Sequence, residues 1–199
     1  MNDKRLRRRT LLLATLAAFA AGCRTEPLSF RATDITGSGF GGDFELPDHT
    51  GTVRRLADFR GKVVIVFFGF THCPDVCPTT LSTLAEVMKR LGPDADALQV
   101  LMITVDPERD TRDLMSRYVP AFDPRFIGLI PSESQLKQVA ERFKVVYIRN
   151  RPDAAGFYPV DHTAATFVFD RENRPRLYVP HEMGIDDRIS DLRKLVAGR

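Results

Sequence analysis

The chain has 199 residues, with 29 Lys/Arg against 26 Asp/Glu, four histidines and three cysteines, and a formal charge of +3. Residues 1–22 hold five of the basic residues and one Asp, so without them the charge falls to −1 and the basic balance disappears. No Lys/Arg-rich stripe interleaved with aromatic residues remains, which excludes the usual footprint of a nucleic-acid partner.

The N-terminus reads as an export signal. Lys4, Arg5, Arg7, Arg8 and Arg9 precede an apolar run over 11–21 that ends at Gly22-Cys23, which is a basic region, a hydrophobic region and a small-residue cleavage site in order. The run is about half of the roughly 20 residues that a membrane-spanning helix needs. Ala20-Ala21-Gly22-Cys23 resembles the bacterial lipobox, with Ala20 where that motif more often has leucine. The expectation is lipidation of Cys23 as the mature N-terminus, with plain cleavage or an uncleaved anchor as alternatives. Arg8-Arg9 also resembles a twin-arginine signal, although adjacent arginines are common in such basic regions. The expected location is outside the cytoplasm, on the periplasmic side of a membrane, where a disulfide is permitted.

Residues 23–43 include Gly37, Gly39, Gly41 and Gly42 without apolar periodicity, and read as a flexible tether. The remaining residues, 44–199, suffice for one domain and are too few for two ordinary ones. Phe44-Glu45-Leu46, a turn at 48–51, and Thr52 to Leu56 predict a β-hairpin. Residues 62–70 follow, apolar on both faces, as a central parallel strand should be. Pro78 stands in the first turn of a helix that Gly92-Pro93 stops. A continuous apolar strand spans 98–105, a helix 111–118, a short strand 126–130, and a helix 132–143 opened by a Ser132/Gln135 capping box. After a short strand at 145–148 and an insertion between Arg149 and Val160, strands at 166–170 and 176–179 form a hairpin, and a helix over 187–197 closes the chain. The predicted fold is α/β: a thioredoxin-like mixed sheet flanked by helices, with an N-terminal β-hairpin and an insertion before the C-terminal hairpin.

Cys73 and Cys77 are the only cysteines in the predicted domain, and they lie between the central strand and its helix. Loops leaving the carboxyl ends of strands form the site face of such a sheet. Unpaired N–H groups at a helix N-terminus favour the thiolate, which is both a nucleophile and a soft metal ligand. An inert disulfide staple is disfavoured, because closing so short a loop removes little unfolded-state entropy. A thioredoxin-type oxidoreductase has two residues between its cysteines, whereas Pro74, Asp75 and Val76 make three here. A peroxiredoxin normally has Thr or Ser three residues before the reactive cysteine, where this chain has Phe70 or Pro74. A metal site needs a third donor, and His49, His72, His162 and His181 are the candidates. His49 reads as a solvated turn residue, His72 and His181 as loop residues, and His162 lies where the chain returns beside the cysteine loop.

Phe70-Thr71-His72-Cys73-Pro74-Asp75-Val76-Cys77-Pro78, Val105-Asp106-Pro107-Glu108-Arg109-Asp110-Thr111 and Val160-Asp161-His162-Thr163 together resemble the three signature segments of the Sco/SenC family, in order. The resemblance implies a membrane-tethered, thioredoxin-like copper protein that assembles the copper centre of cytochrome c oxidase. It implies Cys73, Cys77 and His162 as ligands of one copper ion. The implied partners are the copper-bearing oxidase subunit and a copper donor or thiol reductant. Thiolates suit Cu(I) and the imidazole suits Cu(II), while zinc would tolerate the same donors. Asp161 is a candidate to orient His162. Asp106 and Asp110 are candidates to support the site or dock a partner, although Asp110 with Asp113 would also serve to cap the following helix. The alternative function is an extracytoplasmic thiol–disulfide oxidoreductase or peroxidase-like enzyme using Cys73 and Cys77.

Overall fold

A computed structural model describes residues 29–154 and 156–198. The expected signal, its Cys23 and the first part of the expected tether lie outside the described residues. Among the described residues, no helix is long and apolar enough to cross a membrane.

The elements in order are β1 (Thr33–Asp34), β2 (Glu45–Pro47), β3 (Val53–Arg55), a 3-10 turn (Leu56–Phe59), β4 (Val63–Gly69), α1 (Val76–Leu91), a second 3-10 turn (Gly92–Ala97), β5 (Leu98–Thr104), α2 (Arg112–Tyr118), β6 (Ile127–Leu129), α3 (Glu133–Phe143), β7 (Tyr147–Arg149), β8 (Val160–His162), β9 (Ala165–Phe169), β10 (Pro175–Pro180) and α4 (Ile185–Val196). Six strands form the main sheet in the order β1-β10-β9-β4-β5-β6. β4, β5 and β6 run parallel, while β9 lies antiparallel to β4 and β10 antiparallel to β9.

Every residue of β4 and β5 is buried. That explains their unbroken apolar runs, since a strand covered on both faces has no reason to alternate. Ile65, Val168 and Leu177 on one face meet Leu84 of α1 and Leu192 of α4. Phe68 and Phe167 on the other face meet Phe143 of α3, with ring centroids 5.2 and 5.3 Å away in edge-on geometry. Helices therefore cover both faces, and the thioredoxin-like mixed α/β fold is as expected. The Ser132/Gln135 capping box is present at α3.

Residues 29–43 are not a free tether. The N–H groups of Arg31 and Ala32 donate to Asp191 Oδ2 at 2.8 and 2.9 Å, and β1 then pairs with β10. Ala32 and Ile35 are buried. The short strand expected at 145–148 forms as β7, but it pairs with β8 in a separate two-stranded ribbon rather than in the main sheet. The expected insertion is the loop between these two strands.

β10 runs parallel to β4 through its antiparallel pairing with β9. The carboxyl ends of β4, β5 and β10 and the start of β9 thus share one edge of the sheet. The cysteine loop, the loop 105–111, and the residues flanking His162 and His181 all converge there.

Candidate metal centre

The β4 strand leads directly into the cysteine loop. The N–H of Cys73 donates to the Phe70 carbonyl at 3.3 Å, and Cys77 is the second residue of α1. The N-cap residue, Asp75, makes no side-chain capping bond. The Cys77 N–H donates to Cys73 Sγ at 3.4 Å instead, so a sulfur takes the place of a capping oxygen. Pro78 follows in the first turn, where its missing N–H leaves no hydrogen bond broken.

The two sulfurs have opposite acid–base character, and neither is in a disulfide. The hydrogen bond from the Cys77 side chain, helped by the N–H groups of Asp75 and Cys77 and by His162, overcomes burial and lowers the Cys73 pKa to about 5. The same contact to Cys73, together with burial, drives the Cys77 pKa upward. At neutral pH Cys73 is a half-buried thiolate and Cys77 a fully buried thiol. The thiolate is the species that alkylates, so the rate of Cys73 modification by iodoacetamide should already be on its plateau at pH 7. It should fall as the pH drops through about 5, by about tenfold per pH unit below that value. A profile centred near the ordinary thiol value would contradict this assignment.

Gly69 makes room for Cys77. A Cβ at this position would stand 3.0 Å from Cys77 Sγ and 2.5 Å from the Phe67 ring. The glycine at the end of an otherwise bulky strand is the local condition for seating the buried sulfur against the sheet.

His162 arrives on β8. Its Nε2 lies 3.7 Å from Cys77 Sγ, although the two residues are 85 apart in sequence. Its Nδ1 lies 3.1 Å from the Val160 carbonyl, which only accepts, so Nδ1 carries a proton and Nε2 is the nitrogen turned toward the sulfur. The Phe70 ring meets the imidazole edge-on at 5.7 Å. The role expected of Asp161, orienting the imidazole, falls to the Val160 carbonyl. Asp161 faces outward and accepts from Asn150 Nδ2 at 2.9 Å, because alternate residues of a strand face opposite ways.

Asp110 also departs from its expected capping role. Thr111 caps α2, its Oγ1 accepting from the Leu114 N–H at 3.3 Å. Asp110 is fully buried and ties two loops together. It accepts from the Thr71 N–H at 3.1 and 3.2 Å, from Thr71 Oγ1 at 2.5 Å and from Thr104 Oγ1 at 2.5 Å. The cysteine loop is thereby fixed to the end of β5. Asp106, equally buried, bonds Arg109 through one oxygen and accepts from the Tyr158 hydroxyl at 3.0 Å through the other.

The other histidines have separate partners. His49 is not a free turn residue, since the Gly128 N–H donates to its Nδ1 at 3.0 Å and pins the β2–β3 turn to β6. His72 lies 3.8 Å from Asp110 on the solvent side of the loop. His181 Nδ1 stands 2.9 Å from Thr80 Oγ1 of α1.

The donor chemistry fits a soft metal ion. A thiolate and an imidazole on one metal, at about 2.3 and 2.0 Å with angles between tetrahedral and trigonal, stand roughly 3.5–3.7 Å apart. The observed 3.7 Å between Cys77 Sγ and His162 Nε2 matches that separation. Among the described residues, no group of three or more His, Cys, Asp or Glu side chains is already gathered into a metal cage. Sequence reasoning missed the Val160 carbonyl, the Tyr158 bond to Asp106 and the spatial role of Gly69. The alternation in Tyr158-Pro159-Val160-Asp161-His162 and the lone glycine after Phe67-Phe68 were the signals available for them.

Comparison with known proteins places these features in a family. The sequence profile of SCO1/SenC matches residues 32–197. The "Protein SCO2 homolog, mitochondrial" of Bos taurus is 48% identical over 129 residues, which cover 64% of this chain and 48% of that protein. The chain therefore spans about half the length of this relative. Bradyrhizobium japonicum ScoI with copper bound superposes with a TM-score of 0.72 at 36% identity, covering 78% of this chain and 99% of that one. The apo Sco1 protein of Thermus thermophilus superposes with a TM-score of 0.75 at 39% identity, covering 84% and 97%.

Proposed function

The chain belongs to the SCO1/SenC family, and on that premise we propose that it binds one copper ion through Cys73, Cys77 and His162 and serves in assembly of the copper centre of cytochrome c oxidase. It delivers copper to the oxidase subunit or maintains that subunit's thiols. The observation that carries the reading is His162 Nε2 standing 3.7 Å from the buried Cys77 sulfur. The copper-bound Bradyrhizobium relative supports copper as the cargo. We extend the proposal to export and to anchoring by a lipidated Cys23 on the periplasmic face. That arrangement would hold the domain where a membrane-bound oxidase subunit presents its copper site.

The three side chains have distinct tasks. Cys73, already ionised and half exposed, is the first donor that an incoming copper ion meets. Cys77 gives up its proton on binding, and His162 supplies a neutral nitrogen whose orientation the Val160 carbonyl sets. Two soft sulfurs favour Cu(I), and the imidazole keeps Cu(II) within the site's range. Loss of two electrons and the Cys77 proton to an external acceptor would join the sulfurs as a disulfide and remove both sulfur donors.

Anaerobic titration of the reduced domain with Cu(I) at pH 7 tests this reading. One copper per chain is expected, with release of about one proton, since only Cys77 remains to be deprotonated. Absence of a stoichiometric endpoint, or displacement of copper by equimolar zinc, would overturn it. The split between a Cys73 thiolate and a Cys77 thiol is also what a thiol–disulfide oxidoreductase uses. That rival leaves His162 without a task.

A further inference from the structure

His162 sits on a ribbon that has little to hold it in place by itself. Among the described residues β7 and β8 pair only with each other, and an isolated two-stranded hairpin is marginal in water. Val146 and Ile148 leave large apolar surface exposed on this ribbon. Something beyond strand pairing must therefore keep the imidazole beside Cys77.

The inward face of the segment leading through β8 shows what does. Tyr158, Val160 and His162 alternate along the chain and point the same way. Val160 is buried in the core. At one end of this row His162 meets Cys77, and at the other the Tyr158 hydroxyl donates to Asp106 Oδ1 at 3.0 Å. Arg149, at the end of β7, brings its Nε to 3.8 Å from the same oxygen. The segment entering β8 is thus fastened to a buried carboxylate in the β5–α2 loop, while Arg149 of β7 bonds Glu133 of α3 through its Nη2.

Arg109 clamps the arrangement from above. It bonds Asp106, and its guanidinium carbon lies 3.5 Å from the centroid of the Tyr158 ring and 5.7 Å from those of Phe70 and Phe157. One of its nitrogens, Nη2, is buried without a hydrogen-bond partner. Leaving a buried charged donor unpaired is costly, so the arginine is not placed there to satisfy hydrogen bonds alone. The planar stack on Tyr158 accounts for its position. Phe70 also packs on His162 at 5.7 Å, so Arg109, Phe70 and the imidazole form one continuous row.

We propose that Tyr158 and Arg109 are positioning residues for the copper site: they latch the β7–β8 ribbon to Asp106 and so hold His162 Nε2 against Cys77. The proposal rests on the copper-binding reading for its consequence, although the latch itself exists in the metal-free protein. Releasing it would let the ribbon carry His162 away while the cysteine loop, fixed separately by Asp110, stays in place.

Tyr158→Phe removes only the hydroxyl, and Arg109→Lys keeps the charge but loses the planar stack. In each reduced, metal-free variant, amide exchange at 160–163 should accelerate, while exchange in the cysteine loop stays at its wild-type value. Copper affinity should fall about 10- to 100-fold, the usual cost of removing a partner that orients a ligand, with an altered Cu(II) spectrum. Unchanged exchange at 160–163 would overturn the latch, as would exchange that rises equally throughout the domain. If wild type binds no copper, the copper reading fails, and the metal-free exchange experiment still decides the latch. If wild type binds copper and both variants bind it with unchanged affinity and spectrum, the positioning role fails alone.

Discussion

His162→Ala is expected to lower copper affinity by more than about 100-fold, beyond the loss usual for a residue that only orients a ligand. The remaining sulfurs would be a thiolate at the surface and a buried thiol, with no nitrogen donor across from them. The fold should survive, because the imidazole is only partly buried and its backbone carries the ribbon pairing opposite Tyr147. Cys73 and Cys77 should still cycle between dithiol and disulfide. That combination, measured by competitive copper titration beside a thiol redox titration, separates a metal carrier from a dithiol enzyme. Unchanged copper affinity would remove His162 from the site and leave the oxidoreductase reading in possession of the cysteines.

Asp110→Ala should have the largest effect on the protein itself. It strips the partner from the Thr71 N–H and from the hydroxyls of Thr71, which is partly buried, and Thr104, which is fully buried. Leaving such donors unpaired costs about 3–4 kcal/mol in sum. Asp110→Asn keeps an acceptor oxygen and the side chain's shape, and should cost about 1 kcal/mol at low pH. The two variants also differ in pH dependence. Burial, despite the threonine hydrogen bonds, holds the Asp110 carboxyl above its ordinary value of 3.8, with the nearby Asp106 acting in the same direction. A carboxyl raised in the folded state binds more protons folded than unfolded, so its contribution is greatest below 3.8 and is lost as the pH rises through the raised value. The asparagine variant escapes that loss, and its stability relative to wild type should improve between pH 4 and pH 7. Denaturant titrations at the two pH values measure it, and a relative stability that worsens with pH would contradict the assignment.

What the sequence disclosed followed how local the cause was. The fully apolar β4 announced a strand covered on both faces, and Ser132 with Gln135 announced the start of α3, because each signal lies within one element. The arm at residues 29–43 was misread as tether because its order comes from Asp191, about 160 residues away. No apolar period marks it, since β1 presents an exposed edge to solvent. The separate β7–β8 ribbon was illegible for a similar reason: short strands announce themselves weakly, and their choice of partner depends on the tertiary fold. Composition and spacing alone left four histidines open. Family resemblance singled out His162, and the geometry places its Nε2 beside a sulfur seated by Gly69. Asp110 looked like a helix cap from its place before α2, a role that Thr111 fills by being one residue closer.

In the proposed site two sulfurs and one imidazole hold the copper. X-ray absorption at the copper edge of the reduced domain loaded with one equivalent of Cu(I), compared with His162→Ala, tests it most directly. Wild type should show two sulfurs and one nitrogen around the copper, with the nitrogen's imidazole scattering lost in the variant. A shell without imidazole in wild type, or one that His162→Ala leaves unchanged, would contradict it.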